Sequence, residues 1–168
     1  MKEIINPWLN LKAYNCFGCC PDNPTGVHMR FYRDGDEIIS PWKPNYNHQS
    51  WINTVHGGIQ ATLLDEVCGW VVFAVLNTSG YTAKMNIRYR KVVEINQPYL
   101  LMKARLKSHS HHIAVIEGEI WNAKGELCAN CECTYMTYDP DKAKEMSFRE
   151  AGYGDQDLTL DEILKQYE

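Results

Sequence analysis

The stretch from Ile59 to Leu76 constrains the fold more than any other part of the chain. These 18 residues contain no proline and are too long for a typical strand. They are apolar on nearly every side, so we expect one long helix that is buried over most of its surface. The longest apolar run inside it has ten residues, 67–76, whereas about 20 are needed to cross a membrane.

Shorter segments on both sides of this helix have the pattern of β-strands. Two predicted strands precede it at 27–33 and 36–43, joined at Asp34-Gly35, which is a favoured hairpin turn. The first fifteen residues are expected to form a short helix or arm. Strands predicted after the helix cover 82–91, 98–108, 112–122 and 126–138. This order predicts an α+β fold of about six antiparallel strands, and we expect a partner subunit to cover the side of the helix that the sheet leaves open.

Charge divides the 168 residues into two parts. Residues 139–168 contain nine acidic and four basic side chains, a charge of −5, whereas 1–138 contain 12 acidic and 13 basic ones. We therefore predict a domain at 1–138 and an acidic extension at 139–168, with a capping box at Thr159–Glu162 that starts a short helix. A net charge of −4 argues against a general nucleic-acid or membrane-surface binder.

The seven cysteines indicate a reduced, cytoplasmic setting. Their number is odd, no regular disulfide framework is visible, and the first ten residues lack the apolar core of a signal peptide. Cys16 and Cys19 form a Cys-x-x-Cys pair, but no second pair follows at zinc-finger spacing. The histidines near 109–112 are better explained as a polar hairpin tip. We therefore predict no metal site.

Asp65 is the candidate with the strongest chemical argument. A carboxylate on a mostly buried helix is costly unless it is paired, hydrogen-bonded or protonated, and such groups are enriched at functional sites. The helix also begins after His56-Gly57-Gly58, where unsatisfied N–H groups and the positive end of the helix dipole favour an oxyanion. Glu66, about 100° around the helix, is expected to face solvent or an interface.

Together these residues form a recognisable motif. The segment Asn53-Thr-Val-His-Gly-Gly-Ile-Gln-Ala-Thr-Leu-Leu-Asp-Glu66 resembles the hotdog-fold acyl-CoA thioesterases, in particular the phenylacetyl-CoA (PaaI-like) branch. Ala83–Tyr89 and Gly125–Tyr135 are similar to later strands of that family, and Cys16–Gly26 is similar to the leader of some members. The resemblance covers about residues 14–138.

The resemblance implies a long helix wrapped by a curved antiparallel sheet, and a homodimer, often paired into a tetramer, with active sites at the dimer interface. It implies that Asp65 acts as general base or nucleophile and that the Gly57 N–H stabilises the oxyanion. His56 would hold the loop or the carbonyl, and Thr82 would lie near the attacking water. Residues implied beside the substrate are Gly58, Ser50 and Asn53, with Ser50 standing where relatives often have Asn or Gln.

These features predict an enzyme that hydrolyses a small or medium acyl-CoA thioester to acid and CoA. CoA is part of the substrate, and no separate cofactor is expected. A local basic zone at 84–107 could bind its phosphates, although it is also explained as a solvated strand face. Two alternatives remain: a non-catalytic acyl-CoA-binding protein, and a hotdog dehydratase that acts on hydroxyacyl thioesters.

Overall fold

The computed structural model describes residues 1–167, in which an antiparallel sheet of eight strands curves around one long helix. The predicted α+β layout is confirmed, but the sheet has eight strands instead of about six. Its order is β4-β7-β6-β5-β3-β2-β1-β8. The strands are β1 Lys2–Ile5, β2 Tyr32–Asp34, β3 Glu37–Trp42, β4 Gly80–Tyr89, β5 Leu100–Ser110, β6 Ile113–Asn122, β7 Leu127–Thr137 and β8 Gly152–Tyr153. The helices are α1 Gly57–Ala74, α2 Pro140–Glu145 and α3 Leu160–Leu164.

The two additional strands come from the chain termini. β1 lies in the segment expected to be a helix or arm, where it pairs with β2 through Lys2 and Arg33. On its other side β1 pairs with β8 of the acidic extension, with Ile4 opposite Tyr153. Four-residue and two-residue strands are too short to show clear alternation, so the sequence pattern did not reveal them.

The first predicted hairpin forms, but its first strand is shorter than expected. Residues 27–29 bond to the leader segment instead of the sheet, with Val27 N donating to Phe17 O and Met29 N to Gly18 O, both at 2.8 Å. Only 32–34 join the ladder. Asp34 pairs with Glu37, so the turn residues are 35 and 36, and Gly35 has the positive φ (60°) that this turn requires.

Helix α1 begins two residues before the predicted start, because His56 caps it. The His56 Nδ1 atom accepts a hydrogen bond from Gly58 N at 2.8 Å. On the sheet side, Leu63, Leu64, Val67 and Cys68 are completely buried. The long helix inferred from the apolar stretch is therefore confirmed, and its inner face is the centre of the core.

Part of the outer face of α1 is covered by the same chain, whereas the expectation that a partner subunit also contacts the helix stays a prediction. Trp8 of the leader packs on Trp70 at 5.9 Å and on Phe73 at 5.2 Å between ring centroids. Phe148 of the extension packs on Trp8 from the other side at 6.2 Å. The sequence pattern showed that the helix needed cover but did not show that both termini fold back over it.

The acidic extension is attached to the body at several points. The N-terminal ammonium of Met1 donates to Leu158 O at 2.8 Å, and Ile163 of α3 is completely buried. The capping box predicted at Thr159 and Glu162 is present. None of the helices formed by residues 1–167 is both long and apolar enough to cross a membrane.

Candidate active site

Asp65 lies between α1 and the sheet, with two hydroxyl groups directed at it. Thr82 Oγ1 donates to Asp65 Oδ1 at 2.7 Å. The Tyr135 hydroxyl lies 3.0 Å from the same Oδ1 and 2.7 Å from the Asp65 carbonyl oxygen. Among the described residues, Asp65 Oδ2 has no hydrogen-bond partner. The side chain is only partly buried, so this oxygen remains available for a water molecule or a substrate.

The sheet places the two hydroxyl groups side by side. Thr82 on β4 is directly opposite Tyr135 on β7, and a β-bulge follows at Ala83. Bulges next to active sites commonly redirect a side chain, and this one ends the regular register just after Thr82. Burial strongly raises the pKa of Tyr135, so its hydroxyl stays protonated as a donor. Sequence reasoning selected Thr82 but not Tyr135, although strand alternation places Tyr135 on the face with Cys131 and Cys133.

The N-terminus of α1 forms a second polar feature. Gly58 N is already used by His56 Nδ1, which leaves the N–H groups of Gly57 and Ile59 without an acceptor in this first turn among the described residues. With Nδ1 as acceptor, a neutral His56 ring carries its proton on Nε2. The Gly57 carbonyl accepts from the Tyr89 hydroxyl at 2.9 Å, which fixes the glycine against β4.

The remaining predicted substrate residues lie in an exposed loop before the helix. Ser50 bonds to the Thr54 carbonyl through its backbone N–H at 2.9 Å. Asn53 has a positive φ of 58° and its N–H donates to Gln49 Oε1 at 2.9 Å. His56 N donates to His48 O at 2.8 Å, which connects this loop to the helix start. Within one chain, no hydrogen bond joins Ser50 or Asn53 to Asp65 among the described residues.

Gly57 and Asp65 are too far apart on one helix to act on the same carbonyl group. They are eight residues apart, and a rise of about 1.5 Å per residue separates them by about 12 Å along the axis. A thioester carbonyl and the water that attacks it lie within about 3–3.5 Å of each other. One chain therefore presents two half-sites at the two ends of this helical segment.

Glu66 does not face solvent or an interface, which corrects our expectation. Its carboxylate lies under the leader segment, where Cys16 Sγ is 3.5 Å from Glu66 Oε1. Burial raises the pKa of Glu66 to about 7. The N-terminal segment covers this face because Trp8 and Tyr14 pack against the hydrophobic core to which α1 contributes.

Acidic residues neutralise part of the basic zone. Lys91 pairs with Glu126 at 2.6 Å, and Arg105 pairs with Glu117 at 3.3 Å. Lys107 pairs with both Glu117 and Glu132. Among the described residues, Lys84, Arg88, Arg90 and Lys103 make no salt bridge. The zone is therefore only partly compensated, by acids on β6, on β7 and just before β7.

Comparison with known proteins connects this geometry to one family. Residues 52–129 match the family model described as the thioesterase superfamily. This matched range includes the whole of α1 and of β4, the strand that contains Thr82. No curated protein matches the chain. The matched region thus contains two features of the site. One is the pair Asp65 and Thr82, and the other is the helix start at His56-Gly57-Gly58.

Solved structures with the same fold include two that are named as thioesterases and one that is bound to acetyl CoA. Protein RHA08564, a thioesterase superfamily protein, is 26% identical with a TM-score of 0.64; the match covers 69% of this chain and 57% of that chain. A hypothetical thioesterase with coenzyme A from Streptococcus pneumoniae TIGR4 is 21% identical with a TM-score of 0.61, covering 65% and 87%. The protein smu.793 from Streptococcus mutans UA159, bound to acetyl CoA, is 17% identical with a TM-score of 0.62, covering 77% and 96%.

These findings confirm the hotdog fold and the resemblance to hotdog thioesterases. They do not distinguish the phenylacetyl-CoA branch from other branches. The chain spans little more than half of the length of the RHA08564 structure.

Proposed function

We propose that this chain is an acyl-CoA thioesterase that hydrolyses a small or medium acyl-CoA thioester. The observation that carries the proposal is the Asp65 carboxylate, whose Oδ1 is bound by Thr82 and Tyr135 while Oδ2 is left open. The match to the thioesterase superfamily supports the reaction class. CoA in the pneumococcal structure and acetyl CoA in the smu.793 structure support a CoA ester as substrate.

In this proposal Asp65 Oδ2 accepts a proton from the attacking water. The water oxygen adds to the thioester carbonyl carbon, and negative charge develops on the carbonyl oxygen. The Gly57 N–H at the positive end of α1 donates to that oxygen, as an oxyanion hole does. Collapse of the intermediate re-forms the carbonyl and breaks the carbon–sulfur bond. The CoA thiolate leaves and takes up the proton held on Asp65, which regenerates the carboxylate and releases free acid and CoA. Thr82 and Tyr135 fix Oδ1, so the free oxygen keeps its orientation.

A second copy of the chain completes the site, because one helix cannot bring Gly57 and Asp65 together. In an antiparallel pair of helices, Gly57 of one copy lies beside Asp65 of the other. Strand β4 is an edge of the sheet and is almost entirely exposed, so its backbone is available to pair with a second β4. Large apolar side chains on β4 and the nearby loop are also exposed, namely Tyr81, Tyr89, Trp51 and Ile52.

The geometry favours hydrolysis over a dehydratase reaction. A dehydratase of this fold would use a histidine as the base deep in its site. Here His56 is exposed, and its Nδ1 caps the helix instead of facing a reacting carbon. Two further crystal structures of the pneumococcal thioesterase carry alanine in place of an aspartate and of a threonine. The same residue types are hydrogen-bonded to each other here as Asp65 and Thr82.

A thiol-release assay over a panel of short, medium, long and aromatic acyl-CoA esters tests the proposal. We expect turnover with at least one ester and its loss in Asp65→Asn, with Asp36→Asn in the exposed hairpin as a control of unchanged activity. Tight acyl-CoA binding without thiol release, measured by calorimetry, would instead indicate a binding protein. Full activity of Asp65→Asn would remove the assigned role of this carboxylate.

A further inference from the structure

We propose that Cys16, Cys19 and Glu66 bind one divalent transition-metal ion of the zinc class. The fold brings the Cys-x-x-Cys pair of the leader against Glu66 of α1, with the three donor groups all within 4.8 Å of one another. The sequence did not suggest this site, because the third donor lies 47 residues after the second. This site is independent of the proposed hydrolysis of acyl-CoA.

The spacing of the donor atoms fits a tetrahedral ion. Cys16 Sγ is 3.4 Å from Cys19 Sγ and 3.5 Å from Glu66 Oε1. Zinc bonds of about 2.3 Å to sulfur and about 2.1 Å to oxygen give tetrahedral edges of about 3.8 Å between sulfurs and about 3.6 Å between sulfur and oxygen. The two distances that meet at Cys16 therefore need to change by only a few tenths of an ångström, and the third pair of donors, Cys19 and Glu66, lies within 4.8 Å.

The leader loop is arranged to stabilise sulfur anions. The Tyr14 hydroxyl lies 2.9 Å from Cys19 Sγ, and Asn6 Nδ2 donates to the same sulfur at 3.8 Å. Hydrogen bonds to thiolates orient metal ligands and compensate their charge. The loop thus supplies the outer contacts that a bound metal requires.

Glu66 also lacks a cationic partner. Among the described residues, no lysine, arginine or histidine lies within salt-bridge distance of its carboxylate. A Cβ at Gly18 would overlap the Glu66 carboxylate, so the glycine allows the loop to close directly over it. A partly buried carboxylate with two thiols and no counter-charge is unfavourable, and a divalent ion that displaces the thiol protons supplies that charge.

A fourth coordination position would face a cavity. Cys16, Cys19 and Glu66 all line a cavity of about 330 Å³, whose walls are otherwise mostly aromatic. The buried indole Nε1 of Trp70, in the wall of this cavity, has no acceptor among the described residues. A metal-bound water or hydroxide is an acceptor of the required kind. Three protein ligands with one open position are typical of a catalytic type of zinc site.

We do not propose a metal site at the other cysteine cluster. Cys68, Cys131 and Cys133 also lie close together, with Sγ distances of 3.8 and 3.6 Å between successive pairs. All three are buried in the core between α1 and the sheet, and Cys68 and Cys133 are completely enclosed. They have no carboxylate ligand and line no cavity beside the leader, so we interpret them as packed core thiols.

Metal analysis of the full-length chain tests the proposal. The protein is purified under reducing conditions, incubated with Zn²⁺ and desalted, and its metal content is measured by elemental analysis. We expect one equivalent per chain in the wild type and in Cys20→Ser, whose thiol is next to the cluster but outside it. Cys19→Ser and the isosteric Glu66→Gln should each lower zinc affinity by at least about tenfold, measured with a competing chelator.

Cobalt substitution and thermal melting provide two readouts that do not depend on activity. Co²⁺ should give sulfur-to-cobalt charge-transfer and tetrahedral d–d absorption, lost in Cys19→Ser but kept in Cys68→Ala. Zn²⁺ should raise the Tm of the wild type and not of Glu66→Gln. A reduced wild-type chain that retains no metal would overturn the proposal. Zinc binding by Glu66→Gln and Cys19→Ser as tight as that of the wild type would also overturn it. So would a Cys16–Cys19 disulfide that persists under reduction.

Discussion

Thr82 Oγ1 donates a 2.7 Å hydrogen bond to Asp65 Oδ1, and this bond joins the central helix to the edge strand β4. Asp65 lies in the middle of α1, whereas Thr82 is the last residue of β4 in regular register before the bulge. A hydroxyl that donates to one carboxylate oxygen fixes the direction of the other oxygen. The contact therefore controls where the free oxygen points, which matters for a general base.

Thr82→Ala should lower kcat by about ten- to a hundred-fold with little change in KM. The lost hydrogen bond to a charged group is worth about 1.5–3 kcal/mol, and each ~1.4 kcal/mol is about tenfold in rate. Thr82→Ser keeps the hydroxyl and should recover most of the rate. The measurement is steady-state thiol release with the best acyl-CoA ester. If the alanine and serine variants were equally impaired, the hydroxyl would not be the important feature.

Tyr135→Phe should lower both stability and kcat. The hydroxyl contacts the Asp65 carbonyl and Oδ1, and its loss leaves a partly buried carbonyl without one of its donors. We expect a decrease of about 1 kcal/mol in the free energy of unfolding by urea. The decrease in kcat should be smaller than for Thr82→Ala, because the Thr82 contact to Oδ1 is the shorter one. Tyr46→Phe, at an exposed tyrosine outside β4 whose hydroxyl makes no hydrogen bond among the described residues, is the matched control and should change neither quantity.

Much of the fold was predictable because it depends on long, periodic segments. The apolar stretch identified α1, and the strands on either side of β6 were found within a few residues of their observed ends. The family resemblance singled out Thr82 as a residue near the attacking water, but it did not give the contact of Thr82 with Asp65. The helix and the strands were predictable because each is determined by a local pattern within one segment.

The features that were missed depend on contacts between distant segments. Nothing near Glu66 in the sequence indicates that Cys16 and Trp8 lie over it, because that contact forms only when the leader folds back on α1. The strand at Lys2–Ile5 is paired on one side by the acidic extension, so neither short strand is stable alone. The basic zone was overestimated for the same reason, since its acidic partners are on other strands.

Ile163→Ala should destabilise the protein through the acidic extension. Ile163 is completely buried although it lies only a few residues from the C-terminus, so its truncation leaves a cavity worth about 2–5 kcal/mol. The free energy of unfolding by urea measures this loss. Asp161→Ala in the same helix is exposed and should cost much less. KM for acyl-CoA should be unchanged; a large change in KM with normal stability would place the extension at the substrate site.

The contribution of His48 to stability should fall as the pH drops below 6.5. Burial lowers the pKa of His48 from its ordinary value of 6.5, and its Nδ1 accepts from Asn45 N at 3.1 Å. Below pH 6.5 the unfolded chain therefore binds a proton at His48 more readily than the folded chain does. The contribution of His48 to stability is complete above pH 6.5 and is lost as the pH falls through the lower pKa that His48 has in the folded chain. His48→Asn should flatten this part of the stability–pH curve, measured by urea unfolding. His111→Asn, at an exposed site that tolerates asparagine, should leave the curve unchanged.

Gly57→Pro offers a way to remove the proposed oxyanion donor without breaking the helix. Gly57 is the first residue of α1, a position where proline is favoured, and its φ is not positive. His56 has φ −58° and ψ 134°, which suits a residue before proline. A Cβ at this position would meet Tyr89 at an ordinary distance of 3.7 Å. We expect a folded protein with little activity, checked by circular dichroism and thiol release.

Mixing this variant with Asp65→Asn tests whether the site is shared between two copies. Each variant alone should be nearly inactive. In a mixed dimer, however, Gly57 of the Asp65→Asn chain meets Asp65 of the Gly57→Pro chain, so one of the two sites is intact. Random reassortment of equal amounts makes about half of the dimers mixed, so about a quarter of wild-type activity should return. Asp65→Asn mixed with Thr82→Ala is the control, because Asp65 and Thr82 come from the same chain and the mixture should not exceed the mean of its components. If the Gly57→Pro mixture also stays at its mean while size-exclusion chromatography shows mixed dimers, then Gly57 and Asp65 do not act across the interface.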